Sequence, residues 1–210
     1  MAITFDSVTT GNCNPGTSVS FSHTTTGSNT IVWLLIWQSS ATDKVSSTPT
    51  YGGASMTLGF DGGQIKSGVY AKFYYIVSPA GGSQTVTFNL SSSIACVASA
   101  QSYIGAAQTS PVDVTGTASD ASNKNWSWSV SPTNANSWAV SIFSCNEAYS
   151  DVTGVTRATG ITTATGFMDT NGAGGSFSVS NPDVGSIASA TVSFFPLSTP
   201  SGANVMMMGI

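Results

Sequence analysis

Along most of the chain, apolar and polar residues alternate over short stretches broken by clusters of Gly, Pro, Asn and Ser. That rhythm is the mark of β-strands separated by turns. Ile3 to Val8 alternates, and Val19-Ser20-Phe21 resumes the pattern after an Asn14-Pro15-Gly16 turn. Ile31 to Trp37 is apolar without a break, as expected of a central strand covered on both faces. Met56 to Phe60, Val69 to Val77 and Thr85 to Leu90 follow, with turns expected at Asp61-Gly62-Gly63 and Ser78-Pro79-Ala80-Gly81-Gly82. Ile94 to Ile104 reads as a strand of small residues suited to close sheet-on-sheet packing. Near its end, Ser102-Tyr103 offers a buried ring whose hydroxyl can tie down a loop. The second half repeats this style without repeating the sequence. Its candidate strands are Val112 to Val114, Trp126 to Val130, Trp138 to Phe143, Gly166 to Asp169, Ser176 to Ser180 and Ala190 to Phe195. No window of a dozen residues carries the 3.6-residue apolar period of a helix. The expectation is an all-β protein: a single antiparallel β-sandwich, jelly-roll-like, over residues 1–196, with a C-terminal tail over 197–210.

Composition sharpens this picture. Only 7% of the 210 residues are charged, against about 25% in an ordinary soluble domain. Ser and Thr, at about three residues in ten, keep the surface wet without much electrostatic field. Five Lys and Arg, unclustered, with a net charge of −4, argue against binding a phosphate backbone. The longest apolar run is far short of the roughly 18 residues needed to span a bilayer. The opening Met1-Ala2-Ile3-Thr4-Phe5-Asp6 has neither the basic start nor the apolar stretch of a leader peptide, so none is expected. Three cysteines cannot all pair. Cys96 and Cys145 lie in apolar runs, so free, buried thiols are expected, consistent with a reducing compartment.

Reactive chemistry has little to build on. The single histidine, His23, reads as a hydrogen-bonded or strand-end residue rather than a catalyst or metal ligand. No Ser sits in a G-x-S-x-G elbow, and no calcium loop or clustered ligand set is present. The nine acidic residues are scattered and mostly at turn-like positions, where side-chain to backbone bonds are their default role. No catalytic residue, metal or cofactor is therefore expected. Trp126 and Trp128 alternate on one strand and share a face. Buried, they are core, which is the expected reading. Exposed, they would form a stacking platform for sugar rings.

Three segments together resemble a group of β-sandwich proteins found in tailed phages and bacteria. Thr50-Tyr51-Gly52-Gly53-Ala54-Ser55-Met56-Thr57 is similar to the group's tYGGvaMT turn. Phe73-Tyr74-Tyr75-Ile76-Val77-Ser78-Pro79-Ala80-Gly81-Gly82-Ser83-Gln84-Thr85-Val86-Thr87 follows its YyLvnPaaGtnTVtV stretch. Ser102-Tyr103-Ile104-Gly105 running to Gln108-Thr109-Ser110-Pro111-Val112-Asp113 looks like its SYsGvdqtsPvd stretch. A closing strand, Ala190 to Pro196, completes the pattern. The resemblance implies a non-enzymatic virion structural protein, foremost a capsid decoration (cement) protein assembled onto the particle in the host cytoplasm. Its partners would be the major capsid protein or other virion subunits, and copies of itself, with no nucleic acid and no membrane. The alternative is a carbohydrate-binding or adhesion module with Trp126 and Trp128 as its platform. The apolar end of the tail, Val205, Met206, Met207, Met208 and Ile210, would suit docking on a neighbouring subunit, because methionine adapts to irregular grooves.

Overall fold

The computed structural model describes residues 1–120, 125–146, 148–161, 165–180 and 186–198. The tail residues Val205, Met206, Met207, Met208 and Ile210 lie outside them. Among the described residues there are fifteen strands and no helix. The first nine are β1 (Thr4–Thr25), β2 (Thr30–Gln38), β3 (Thr50–Tyr51), β4 (Ala54–Ser55), β5 (Thr57–Lys66), β6 (Val69–Val77), β7 (Gly82–Ile104), β8 (Val112–Asp120) and β9 (Asn125–Ser129). The rest are β10 (Trp138–Ser144), β11 (Ser150–Thr153), β12 (Val155–Thr159), β13 (Thr165–Asp169), β14 (Ser176–Ser180) and β15 (Ile187–Phe194). All pairings are antiparallel, and the architecture is the expected all-β, sandwich-like one.

Several boundaries differ from the sequence reading. Asn14-Pro15-Gly16 does not end a strand: β1 bends there and its ladder with β7 resumes after register shifts at Cys13/Gly16 and Gly16/Ser18. The 22-residue β1 and 23-residue β7 thereby cross from one layer to another, and the first half is one seven-stranded sheet folded over on itself. The two stretches of β1 meet where Ser7 Oγ donates to the Thr24 carbonyl at 2.5 Å. Asp61-Gly62-Gly63 is an irregularity inside β5 rather than a turn. Pro79-Ala80-Gly81-Gly82 joins β6 to β7, which do not pair, since β2 lies between them. Gly52 and Gly53 do make the tight β3–β4 hairpin, with φ of 57° and 84°, a region a side chain would strain.

The two halves of the chain have one topology. The first half aligns β5-β6-β2-β7-β1 in an inner layer, using the C-terminal stretch of β7 and the N-terminal stretch of β1. The second half aligns β12-β13-β10-β15-β8. The outer layers also correspond, the remaining stretches of β1 and β7 with β3 matching β9-β14-β11. Registers agree residue by residue. Ile31 faces Tyr103 and Trp33 faces Gln101, just as Trp138 faces Phe194 and Val140 faces Val192. A shift of register at Leu58/Phe60 recurs at Thr156/Ala158, and one at Asp6 recurs near Asp113. Asp6 accepts from the Thr26 amide and hydroxyl at 3.0 and 2.5 Å, and Asp113 from those of Thr133 at 2.9 and 2.6 Å. Each carboxylate thus ties the start of its half to the segment that opens β2 or β10.

Four layers result, with three apolar interiors between them. The middle one joins the halves: Ile31, Trp33, Leu35, Phe73 and Tyr103 pack on Val140, Ile142, Phe167, Val192 and Phe194. The other faces of the inner sheets are also covered. Val32, Leu34 and Ile36 pack against the folded-over ribbon with Val19, Val86 and Phe88. Ala139, Phe143 and Met168 pack under Trp126, Trp128, Phe177 and Val179. This double coverage is why β2 is apolar from Ile31 to Trp37, with Ile31 to Ile36 fully buried.

Candidate functional site

The polar chemistry of the described residues is concentrated inside the molecule, chiefly where the halves meet. Asp169 on β13 is completely buried. Arg157 on β12 reaches it bidentately, Nε donating to Oδ2 at 2.7 Å and Nη2 to Oδ1 at 3.0 Å. The same Nη2 donates to Asn171 Oδ1 at 2.9 Å, and the guanidinium lies 4.0 Å from the Phe5 ring centroid. From the first half, the Tyr103 hydroxyl lies 3.0 Å from Asp169 Oδ2 and 2.7 Å from Gln101 Oε1, its one proton shared between two acceptors. Burial and the neighbouring carboxylate hold the phenol well above its usual range, so it stays a donor. Rather than tying down a loop, Tyr103 fastens one half of the molecule to the other.

The corresponding corner on the opposite side is apolar. Where the first corner has Tyr103, Gln101, Asp169, Arg157 and Val140, the second has Phe194, Val192, Tyr75, Gly59 and Trp33. Trp33 fills the space, its ring centroid 5.3 Å from that of Tyr75 and 5.7 Å from that of Phe194. A Cβ on Gly59 would come within 2.6 Å of the Trp33 ring, so a side chain there and the indole exclude each other.

A second internal network surrounds His23, which is 1% exposed. Its Nδ1 lies 3.0 Å from Thr9 Oγ1 and its Nε2 3.4 Å from Ser7 Oγ. Ser7 continues to Ser102 at 2.9 Å, and Ser102 donates to Asp6 at 2.8 Å. The Tyr51 hydroxyl donates to the His23 carbonyl at 3.3 Å. Burial pushes the imidazole from 6.5 down to about 4 against the opposing pull of Asp6, so the ring is neutral at pH 7. Between pH 6.5 and about 4 the unfolded chain therefore binds a proton that the folded one does not. Stability should fall as pH drops through that window, by about 3 kcal/mol in total, and level off below it. Asp6, whose carboxyl is lowered by its bonds to Thr26 and Ser102 against the opposing effect of burial, adds its own loss only below pH 4. His23→Val, which copies Val130 at the equivalent place, should flatten the slope above pH 4 in urea-melt midpoints. An unchanged slope would mean that another group titrates there.

Lys72 pairs with Asp43, whose Oδ1 also accepts from the Gln38 side chain and the Val45 amide. The expected side-chain to backbone bonding is made locally by Asp43, Asp61 and Asp169, which accept from amides two residues on. Asp6, Asp113 and Asp151 instead clamp a threonine through both its amide and its hydroxyl. None of the three cysteines is in a disulfide, and Cys96 and Cys145 are buried. No group of three or more His, Cys, Asp or Glu converges among the described residues.

The sugar-platform alternative for Trp126 and Trp128 is corrected by their burial. They are 7% and 6% exposed and stack on each other at 4.5 Å between ring centroids. Trp128 also stacks on Phe177, and its Nε1 donates to Ser141 and Thr191 at 3.1 Å. The alternation that puts both indoles on one face turns that face to the interior. What faces outward is Ser127 and Ser129, with Asn125, Ser178 and Ser180 beside them. The first half offers the matching surface: Ser18, Ser20, Ser22 and Thr24 on β1, Thr85, Thr87 and Asn89 on β7. No protein family, curated protein or solved structure matches this chain.

Sequence reading missed the polar corner because its members come from four strands with no shared local spacing. A faint signal of the repeat exists. Thr26-Gly27-Ser28-Asn29-Thr30 and Thr133-Asn134-Ala135-Asn136-Ser137 share the form T-x-x-N-[TS], each directly before an inner apolar strand.

Proposed function

We propose that this chain is a non-enzymatic structural protein of a tailed-phage particle, a head-decoration protein that holds neighbouring major capsid or other virion subunits together. The observation that carries the reading is the pair of outward hydroxyl sheets, one on each side of a four-layer body and roughly 30 Å apart. Their strands carry no Lys, Arg or Glu, and the Asp151 of β11 is clamped to Thr156. Neutral, flat, two-sided bodies of this kind can lie between many identical neighbours without mutual repulsion. The resemblance of the Tyr-Gly-Gly and Ser-Tyr segments to phage β-sandwich proteins supports the same reading, as does the apolar sequence Val205, Met206, Met207, Met208, Ile210 as a docking strap. With Trp126 and Trp128 buried, the glycan-binding alternative loses its platform.

The test is a cryo-electron-microscopy map of particles reassembled with purified protein. Stoichiometric density in contact with capsid subunits is expected. Ser127→Glu with Ser178→Glu should lower occupancy about tenfold or more, by placing unpaired carboxylates in the contact. Removing residues 204–210 should lower occupancy while leaving the melting temperature nearly unchanged. A bare particle, together with saturable binding of the protein to a neutral glycan, would replace this reading with the adhesion module.

A further inference from the structure

The correspondence between halves extends to the way they touch. Phe194 occupies the place of Tyr103, and these two rings pack on each other, centroids 5.1 Å apart. Beyond them the chain segments pair reciprocally. Ala107 N donates to the Phe195 carbonyl at 2.9 Å, Leu197 N donates to the Gly105 carbonyl at 2.7 Å, and Ala106 bridges Pro196. Counting on from Tyr103 and Phe194, Gly105 corresponds to Pro196 and Ala106 to Leu197. So Ala106 meets the counterpart of Gly105, and Gly105 meets the counterpart of Ala106. Equivalent residues in mutual contact, with reciprocal pairing around them, are the hallmark of an isologous, two-fold interface.

We propose that the chain is a covalently joined pair of equivalent sandwich units, each burying a self-complementary face whose partner is a second unit of the same kind. Such a face carries a hazard, because the first unit of one chain fits the first unit of another. The corner of Tyr103, Gln101, Arg157 and Asp169 removes it. Were two first units to pair, the Tyr103 hydroxyl and the Gln101 amide would face Tyr75 and Gly59 instead of Asp169 and Arg157. Tyr103 would keep Gln101 Oε1 but lose its charged acceptor Asp169, and Tyr103 and Gln101 would have to fit where the Trp33 ring packs beside the smaller Phe194 and Val192, so the wrong pairing is penalised. Were two second units to pair, the Asp169–Arg157 ion pair would meet Phe194 and Val192. The apolar corner, Phe194 and Val192 of the second unit on Tyr75, Gly59 and Trp33 of the first, forms only between unlike units. The polar side chains of the other corner are what make the like pairings worse, so selectivity for the unlike unit rests on them.

Two experiments on the full-length protein test this. In the first, a protease site is placed between Thr109 and Ser110 and the chain is cut after folding. The pieces are expected to stay together at the parent's mass. After a cycle through urea, a tagged first piece should capture an untagged second piece from another molecule. Pieces that separate or precipitate on cutting would overturn the two-unit reading. In the second, Gln101→Val, Tyr103→Phe, Val140→Trp, Arg157→Gly and Asp169→Tyr together make the polar corner a copy of the apolar one. Refolded over a hundredfold range of concentration, this variant should give at least five times more exchanged, double-mass species than the parent. Equal amounts would show that the corner selects nothing. Where the fivefold variant does not refold, Gln101→Val with Tyr103→Phe is read the same way.

Discussion

Leu35→Asp and, separately, Trp33→Asp are expected to leave no folded protein in the soluble fraction. Both side chains are fully buried on β2, Trp33 between Gln101 and Tyr75 and Leu35 between Ser99 and Phe73 of the flanking strands, in the interior that joins the halves. A carboxylate there finds no cation: Arg157 is held by Asp169, and Lys72 by Asp43. An unpaired buried charge costs several kcal/mol, and the shorter side chain also gives up the apolar packing of the one it replaces. A domain's whole stability is only about 5–15 kcal/mol. As a control, Ser20→Asp on the exposed face of β1 should shift stability by no more than about 0.5 kcal/mol. The measurement is soluble yield followed by a thermal melt. Asp variants that melt like the parent would place β2 at the surface and overturn the layer order.

That β2 could be read from the sequence at all, and Arg157 could not, has a physical cause. A strand covered on both faces can be apolar without a break, so Ile31 to Trp37 announces itself, while the aromatic run of β6 and the alternation of β14 also show and match their expected bounds. Long bent strands are harder to see. At the β1 bend the residues Asn14-Pro15-Gly16 have turn chemistry, yet the ladder resumes beyond them, because pairing with β7 on both sides outweighs the local preference. Alternation at Trp126 and Trp128 shows that they share a face but not whether another layer covers it. The strands β3, β4 and β11, of two to four residues, are too short to carry a period. The duplication escapes notice for a related reason. Asp6 and Asp113, or Thr26 and Thr133, must keep their identities to keep their bonds. Core positions need only stay apolar, so Ile31 becomes Trp138 and Trp33 becomes Val140 with the fold unchanged.

Arg157→Ala is expected to destabilise the protein by about 3–5 kcal/mol, because it strips the counter-ion from a carboxylate with no access to water. For a chain of this size that is a fall in melting temperature of roughly 6–20 °C. The loss of the ring contact with Phe5 adds to it. Arg157→Lys keeps the charge but not the planar fork that reaches both carboxylate oxygens and Asn171, and should fall between parent and Ala. The decisive variant removes both charges. In Arg157→Met with Asp169→Leu nothing is left buried and ionised, and most of the stability should return, short of the Tyr103 hydroxyl's lost acceptor. Tyr103 still has Gln101 Oε1 within 2.7 Å, so that remaining deficit should be small. If the double variant is as unstable as Arg157→Ala, the ion pair holds the halves together by attraction. If it recovers, the pair's role is selectivity, as its absence from the opposite corner implies. An Arg157→Ala protein that melts within 2 °C of the parent would contradict both accounts.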